Sequence, residues 1–259
     1  MFRRNGAMSK AKKRGIILLS IFIGVILAAS LTFYIVFDVK NWQKLDASRL
    51  TVLAQTSTLY DRQENIITTL KGSENRTLVT IDDIPLHTQQ AFIAAEDVRF
   101  YEHSGIDVYR IFGALRSNLQ SGSLAEGAST ITQQLAKLTH LSSEKTLRRK
   151  LEEIYLAFQI ERTYSKNEIL TMYLNTVYFG RGAYGIQAAA QAYFGVDTKD
   201  LTVAQSACLA AIIKAPSVYA PHISPESNKN RRNYILNVMY ENGFISFSAM
   251  KDAQSESLW

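Results

Sequence analysis

Two adjacent acids, Glu96 and Asp97, close the apolar run Ala91-Phe92-Ile93-Ala94-Ala95 and are followed by Arg99, Phe100, Tyr101, Glu102, His103 and Gly105. Ionised carboxylates resist desolvation unless something pairs with them. Glu96 is therefore either an acid/base group whose pKa burial has lifted or a solvated residue at a helix end. A second acid, Glu153, shares a helical face with Arg149 and Lys150. That face is either a surface ion pair of a few tenths of a kcal/mol or a carboxylate held among cations that also meet phosphate. Between the two acids lies Gly127-Ala128-Ser129-Thr130-Ile131-Thr132-Gln133-Gln134-Leu135-Ala136-Lys137. Thr130, Gln133, Gln134 and Lys137 recur at i, i+3, i+4 and i+7, opposite Ile131, Leu135 and Leu138. A glycine loop opening a helix presents free N–H groups that suit an anion. Uncharged hydrogen-bonding groups with one cation suit a sugar-phosphate ligand. Tyr173-Leu174-Asn175 through Gly185 is rich in tyrosine and glycine, as in a loop that packs on a ligand or on the helix beneath it.

These groups need a helical frame, and the pattern from Pro85 onward supplies one. Asp107 caps a helix with Val108, Ile111, Phe112, Leu115 and Leu119 on its expected inward face. Ser129 is the expected cap of the next helix. A long helix over about 143–163 places Leu147, Leu151, Ile154 and Phe158 on one stripe. Ser165–Glu168 and Thr202–Gln205 read as capping boxes. Ser224-Pro225 opens a helix that stops at Gly243. Before this frame, Thr58–Tyr60 and Ile66–Leu70 flank the turn Asp61–Asn65, a hairpin pattern, and Leu78–Ile81 is a candidate third strand.

Ile16 to Phe37 is about 22 residues without a charge, enough at ~1.5 Å per residue to cross a bilayer core of ~30 Å. Arg3, Arg4, Lys10, Lys12, Lys13 and Arg14 precede it with no acid. The positive-inside rule puts the N-terminus in the cytoplasm and the rest outside, in a single-pass cell-membrane protein. A cleaved signal peptide is the rival, with Ala28-Ala29-Ser30 as its site, but the apolar run continues past it. Those six basic residues equal the formal net charge of +6, so the remainder is neutral. A neutral domain speaks against nucleic acid. The one cysteine, Cys208, sits in an Ala/Leu/Ile-rich helix and reads as a buried small hydrophobe. The four histidines are scattered, and no His/Cys cluster has metal-ligand spacing.

Glu-Asp-x-x-Phe-x-x-His-x-Gly, Gly-x-Ser-Thr-Ile-Thr-Gln-Gln-x-x-Lys, Arg-Lys-x-x-Glu and Tyr-Leu-Asn-x-x-Tyr-Phe-Gly, in this order, resemble the peptidoglycan glycosyltransferase family, glycosyltransferase family 51. Its members are the class A penicillin-binding proteins and the monofunctional glycosyltransferases. The resemblance runs over about 57–253. Departures are Ala128 in place of a second glycine, Leu138 where Asn is common, and Gln205 where Glu is common; none removes a family catalytic group.

The resemblance implies a mainly α, lysozyme-like, two-lobed glycosyltransferase domain with a large helical head and a small membrane-dipping jaw. A small N-terminal β-hairpin and one transmembrane helix complete the expected fold. The expected division is a basic tail over 1–15, a membrane helix over 16–37, a stalk and hairpin region over 38–84 and the glycosyltransferase domain over 85–259. The implied reaction polymerises lipid II into β-1,4 glycan strands, with inversion and release of undecaprenyl pyrophosphate. By motif position Glu96 and Glu153 are the catalytic acids, with Glu96 the general base on the acceptor 4-hydroxyl. Lys137, Lys145, Arg148, Arg149 and Lys150 join Glu153 around the donor pyrophosphate. Asp97, Phe100, Ser129, Thr130, Gln133, Gln134 and Asn175 complete the substrate-binding set. No cofactor is required; the family leaves room for an assisting divalent ion, Mg or Mn, and no residue is assigned to a metal. Partners are lipid II, the growing glycan strand, the membrane, and other proteins of cell-wall synthesis or division.

A lysozyme-like hydrolase fits the helical pattern and the acid but has no pyrophosphate to meet Lys137, Arg149 and Lys150. A membrane-anchored scaffold would be free to lose the acids and cations that are all present here. Ser142-Ser143-Glu144-Lys145 has the form Ser-x-x-Lys, yet the chain contains no Lys-Thr-Gly, so the match is read as chance. Leu59-Tyr60-Asp61-Arg62 resembles the start of class A proteins more than monofunctional ones, so a longer natural protein with a transpeptidase domain is expected.

Overall fold

A computed structural model describes residues 10–53, 57–63, 66–70, 75–121, 129–142 and 144–257. Gly127, Ala128, Ser143 and the turn residues Glu64 and Asn65 lie outside the described residues. The chain divides into two units, Met1–Gln43 and Lys44–Trp259.

In the first unit, helix α1 (Lys10–Val36) carries the uncharged stretch Gly15–Val36, long and apolar enough to cross a membrane. The helix ends in a turn where Asp38 takes a left-handed backbone and the Trp42 indole N–H donates to the Phe37 carbonyl at 2.8 Å.

The second unit is mainly helical. It starts with α2 (Ser48–Thr51), followed by strands β1 (Ser57–Tyr60) and β2 (Ile66–Leu70). The strands pair antiparallel, Ser57 opposite Leu70, with a register shift between Leu59 and Tyr60. The segment 78–81 is no third strand. The side chain of Asn175 replaces a neighbouring strand there: Val79 N–H donates to its Oδ1 at 3.0 Å, and its Nδ2 donates to the Val79 carbonyl at 2.8 Å.

The remaining helices are α3 (Leu86–Glu96), α4 (Val108–Ser121), α5 (Ile131–His140), α6 (Leu147–Thr163), α7 (Lys166–Thr176), α8 (Ile186–Phe194), α9 (Val203–Ile212), α10 (Pro216–Tyr219), α11 (Pro225–Glu241) and α12 (Phe247–Ser255). Side-chain oxygens satisfy the free N–H groups at several starts, as capping requires. Asp107 accepts from Arg110 N, Ser165 from Glu168 N and Thr202 from Gln205 N. The cap of α5 is Thr130, one residue later than Ser129, and α6 starts at Leu147 behind a Thr146 cap rather than near 143.

The core centres on α9, apolar all round and buried from Ser206 to Ile212. A helix without a polar face must be enclosed; α3 and α11 pack against it, while α5 packs on α6 and α7. Two expected inward faces are turned the other way. On α4, Val108 is 49 %, Ile111 39 % and Phe112 66 % exposed. The Asp107 cap and its Arg99 partner fix the first turn of α4 by polar contacts instead of apolar burial. The side chains of Leu115 and Leu119 lie outside the described residues. On α6, Leu147 and Phe158 are exposed and Leu151 and Ile154 half-buried; the buried face is Glu153, Leu156, Ala157 and Ile160. That face can hold a charge because two cations accompany it.

Candidate functional site

Glu96 is the last residue of α3, a helix whose Ala91–Ala94 are buried. It opens into a cleft of about 830 Å³. Burial is the main cause that raises its pKa above the ordinary carboxylate value; the Gln134 amide, Arg231 and Arg110 pull it back, and Asp97 pushes it up again. Gln134 Nε2 donates to Glu96 Oε2, and Arg110 holds the Glu96 carbonyl. Arg99 and Asp107, on the wall, form a two-pronged ion pair. The other cations on the lining are Arg110, Lys137, Lys214 and Arg231. Arg231 Nε is buried without a hydrogen-bond partner. The cleft is thus cationic around one half-buried carboxylate of raised pKa, an arrangement that admits a polyanion and offers it a base.

Asp97 stands behind Glu96 and is used by the fold. Its carboxylate meets His103 Nε2 at 3.0 and 3.1 Å and accepts from Ile131 N–H, the first amide of α5, at 3.0 Å. This brings Gln134 and Lys137 beside Glu96. Phe100 is fully buried, with Lys166 Nζ 4.4 Å above its ring. Gly105, at φ +97°, lies where a Cβ would come within 3.3 Å of the Ala157 backbone, so the loop seats directly on α6.

A second cluster surrounds Glu153, 2 % exposed on α6. Arg149 Nη1 donates to its Oε2 at 2.8 Å, and Lys150 Nζ donates to its Oε1 and, at 2.8 Å, to Ser129 Oγ. Arg149 Nε is buried and unpartnered. Lys145 is exposed, and Arg148 turns to Glu152 at 3.3 Å.

The polar stripe of α5 splits. Gln134 and Lys137 line the cleft, whereas Thr130 and Gln133 are buried and bonded to each other as a capping box, with Thr130 Oγ1 also donating to the Gly105 carbonyl. Asn175 is spent on Val79. Three cleft cations escaped the sequence reading: Arg110, Lys214 and Arg231. The available signal was a cation immediately beyond the apolar run that ends at Ile213, and the Arg231-Arg232 pair within a helix. Among the described residues no group of three or more His, Cys, Asp or Glu side chains converges as a metal site.

The chain is 46 % identical to penicillin-binding protein 1A/1B of Bacillus subtilis (strain 168), over 97 % of this chain and 27 % of that one. It is 43 % identical to penicillin-binding protein 1F of the same organism, over 97 % of this chain and 35 % of the relative. It therefore spans about a quarter to a third of these relatives' length. A crystal structure of penicillin-binding protein 1A from Haemophilus influenzae superposes with a TM-score of 0.45 at 23 % identity, covering 80 % of this chain and 21 % of that one. The transglycosylase family model matches residues 63–240, across the Glu96 cleft and the Glu153 cluster alike, and the chain belongs to that family.

Proposed function

We propose that the chain is a membrane-anchored peptidoglycan glycosyltransferase that polymerises lipid II into β-1,4 glycan strands and releases undecaprenyl pyrophosphate. Glu96 carries the assignment: an acid lifted by burial, in a cleft rich in cations, is what deprotonation of a sugar hydroxyl beside a pyrophosphate requires. The acceptor 4-hydroxyl loses its proton to Glu96 as its oxygen bonds the donor anomeric carbon. The bond from that carbon to pyrophosphate breaks on the opposite face, giving inversion. The negative charge that grows on the leaving group is met by Lys137 and, on the donor side, by Arg149 and Lys150 with their Glu153 partner. Lys145, exposed ahead of α6, and Arg148, paired with Glu152, complete the proposed donor-side cations. Among the described residues no three acids or histidines converge, and the step is written with the chain's own side chains alone.

The proposed arrangement has α1 crossing the membrane with its basic end in the cytoplasm, leaving the helical unit outside. The proposed division keeps 1–15 as tail, 16–37 as span, 38–84 as stalk and hairpin, and 85–259 as the glycosyltransferase domain. The outward apolar face of α4 supports contact with the lipid surface, where both lipid-linked substrates reside. Activity is tested with Glu96→Gln, assayed for lipid II binding and for polymer on a gel. Retained binding with no polymer is expected; polymerisation near the wild-type rate overturns the assignment of the base.

A further inference from the structure

Tyr173 on α7 is fully buried, and the mechanism above gives it no task. Its hydroxyl lies 3.4 Å from Gln134 Oε1, and the same amide donates from Nε2 to Glu96. Its phenol is also close enough to feel the Glu96 charge. A primary amide has one acceptor end and one donor end, so whatever occupies the first decides where the second points. If the amide turned over, Oε1 would face the Glu96 carboxylate and the Tyr173 O–H would lose the acceptor it has among the described residues. A buried O–H without an acceptor is costly. At 3.4 Å the O–H···O contact is long, so the preference it gives the amide for this orientation is modest.

We propose that Tyr173 is a positioning residue for the reaction, holding the Gln134 amide with its N–H toward Glu96 so that the base is presented ionised and in one orientation. The proposal rests on the reading of Glu96 as the base. Buried tyrosines also serve purely as packing, and the two roles differ in what the hydroxyl alone does. Phenylalanine keeps the ring and its burial; it removes the penalty on the turned-over amide, whose oxygen favours a protonated Glu96.

The test is a pH titration of the Glu96 carboxyl by carbon NMR in the full chain in detergent, run beside the pH dependence of lipid II polymerisation. The Glu96 signal is identified by its loss in Glu96→Gln. Tyr173→Phe is expected to move the Glu96 midpoint, and the acid limb of the rate profile with it, upward by about 0.5–1 pH unit. In a Gln134→Ala background the same change should move the NMR midpoint no further, and that readout needs no activity. An unmoved midpoint in Tyr173→Phe, or an equal shift with and without Gln134, overturns the positioning role while leaving Glu96 as base. Full polymerisation by Glu96→Gln overturns both.

Discussion

Glutamine in place of Glu153 should destabilise the helical unit by about 2–5 kcal/mol. The carboxylate is 2 % exposed and touches two cations of unlike exposure, Arg149 with 16 % of its side chain accessible and Lys150 with 37 %. At 2.8 Å and an effective dielectric constant of ~20, the attraction to Arg149 is roughly 6 kcal/mol before desolvation is subtracted. Removing one member of such a buried pair usually costs about 3–5 kcal/mol, because the other charge stays behind. The Lys150 contact is screened by water and adds about 0–1 kcal/mol. The amide oxygen still accepts one hydrogen bond and returns about 1 kcal/mol. For a unit of this size the net loss lowers the melting temperature by about 5–15 °C. Far-UV circular dichroism of the full chain in detergent, heated or titrated with urea, measures it. Phosphate should recover part of the loss relative to chloride at equal ionic strength, since the variant leaves Arg149 and Lys150 without their anion. An unfolding free energy in urea within about 0.5 kcal/mol of wild type would refute the reasoning, because it would mean that neither cation depends on the acid.

Gly185→Ala puts a Cβ 2.8 Å from the Asn175 carbonyl oxygen at φ +81°, and should cost about 2–5 kcal/mol in urea unfolding. Gly182→Ala, at φ +73° with nothing within 4 Å, should cost only about 1–2 kcal/mol; equal losses would remove the steric part of the argument. Asn175→Ala should speed hydrogen exchange at the Val79 amide and leave polymerisation per folded molecule within about twofold, since the side chain is bonded to backbone; lost activity with unchanged exchange would return Asn175 to the substrate set. His140 is held neutral mainly by burial, which lowers its pKa below 6.5, while its Nε2 faces the Asp46 backbone. The unfolded chain therefore takes up the proton first, so this contribution is whole above about pH 6.5 and is lost as pH falls below it. The fall in melting temperature from pH 7.5 to pH 5 should be shallower in His140→Gln, and an equal slope would discharge His140 from that role.

The parts of this fold written in local chemistry were legible in the sequence. Asp107, Ser165 and Thr202 announce helix starts because a cap needs only its own first turn. Glu96 was legible as a candidate because an acid after five apolar residues has two outcomes, and the structure shows the desolvated one, half-buried at the cleft with its pKa raised. The inward face of α6 was not. Leu147, Leu151, Ile154 and Phe158 form the better apolar stripe, but the buried side carries Glu153, stabilised by cations whose benefit no hydrophobicity pattern records. Thr130 and Asn175 looked like ligand groups and are spent on backbone; a threonine or asparagine does not declare in sequence whether its partner is substrate or main chain. Arg110, Lys214 and Arg231 lie on or beside three different helices, and only packing makes them one wall.

Helix α9 adds a consequence for how the protein fails on heating. Two of its neighbours, α3 and α11, bear Glu96 and Arg231, and Lys214 lies just past its own end. The part of the cleft that carries Glu96, Lys214 and Arg231 is therefore held by the enclosed helices, whereas Arg99, Asp107 and Arg110 come from the loop after α3 and from the exposed helix α4. Amides of α9 can meet deuterium only when the whole unit opens. Loss of turnover should then begin at the α4 side of the cleft and loss of the core follow it, so repacking around Ala207, Ala210 and Ala211 protects the Glu96 side, and heat tolerance of the whole cleft also needs α4 to be held.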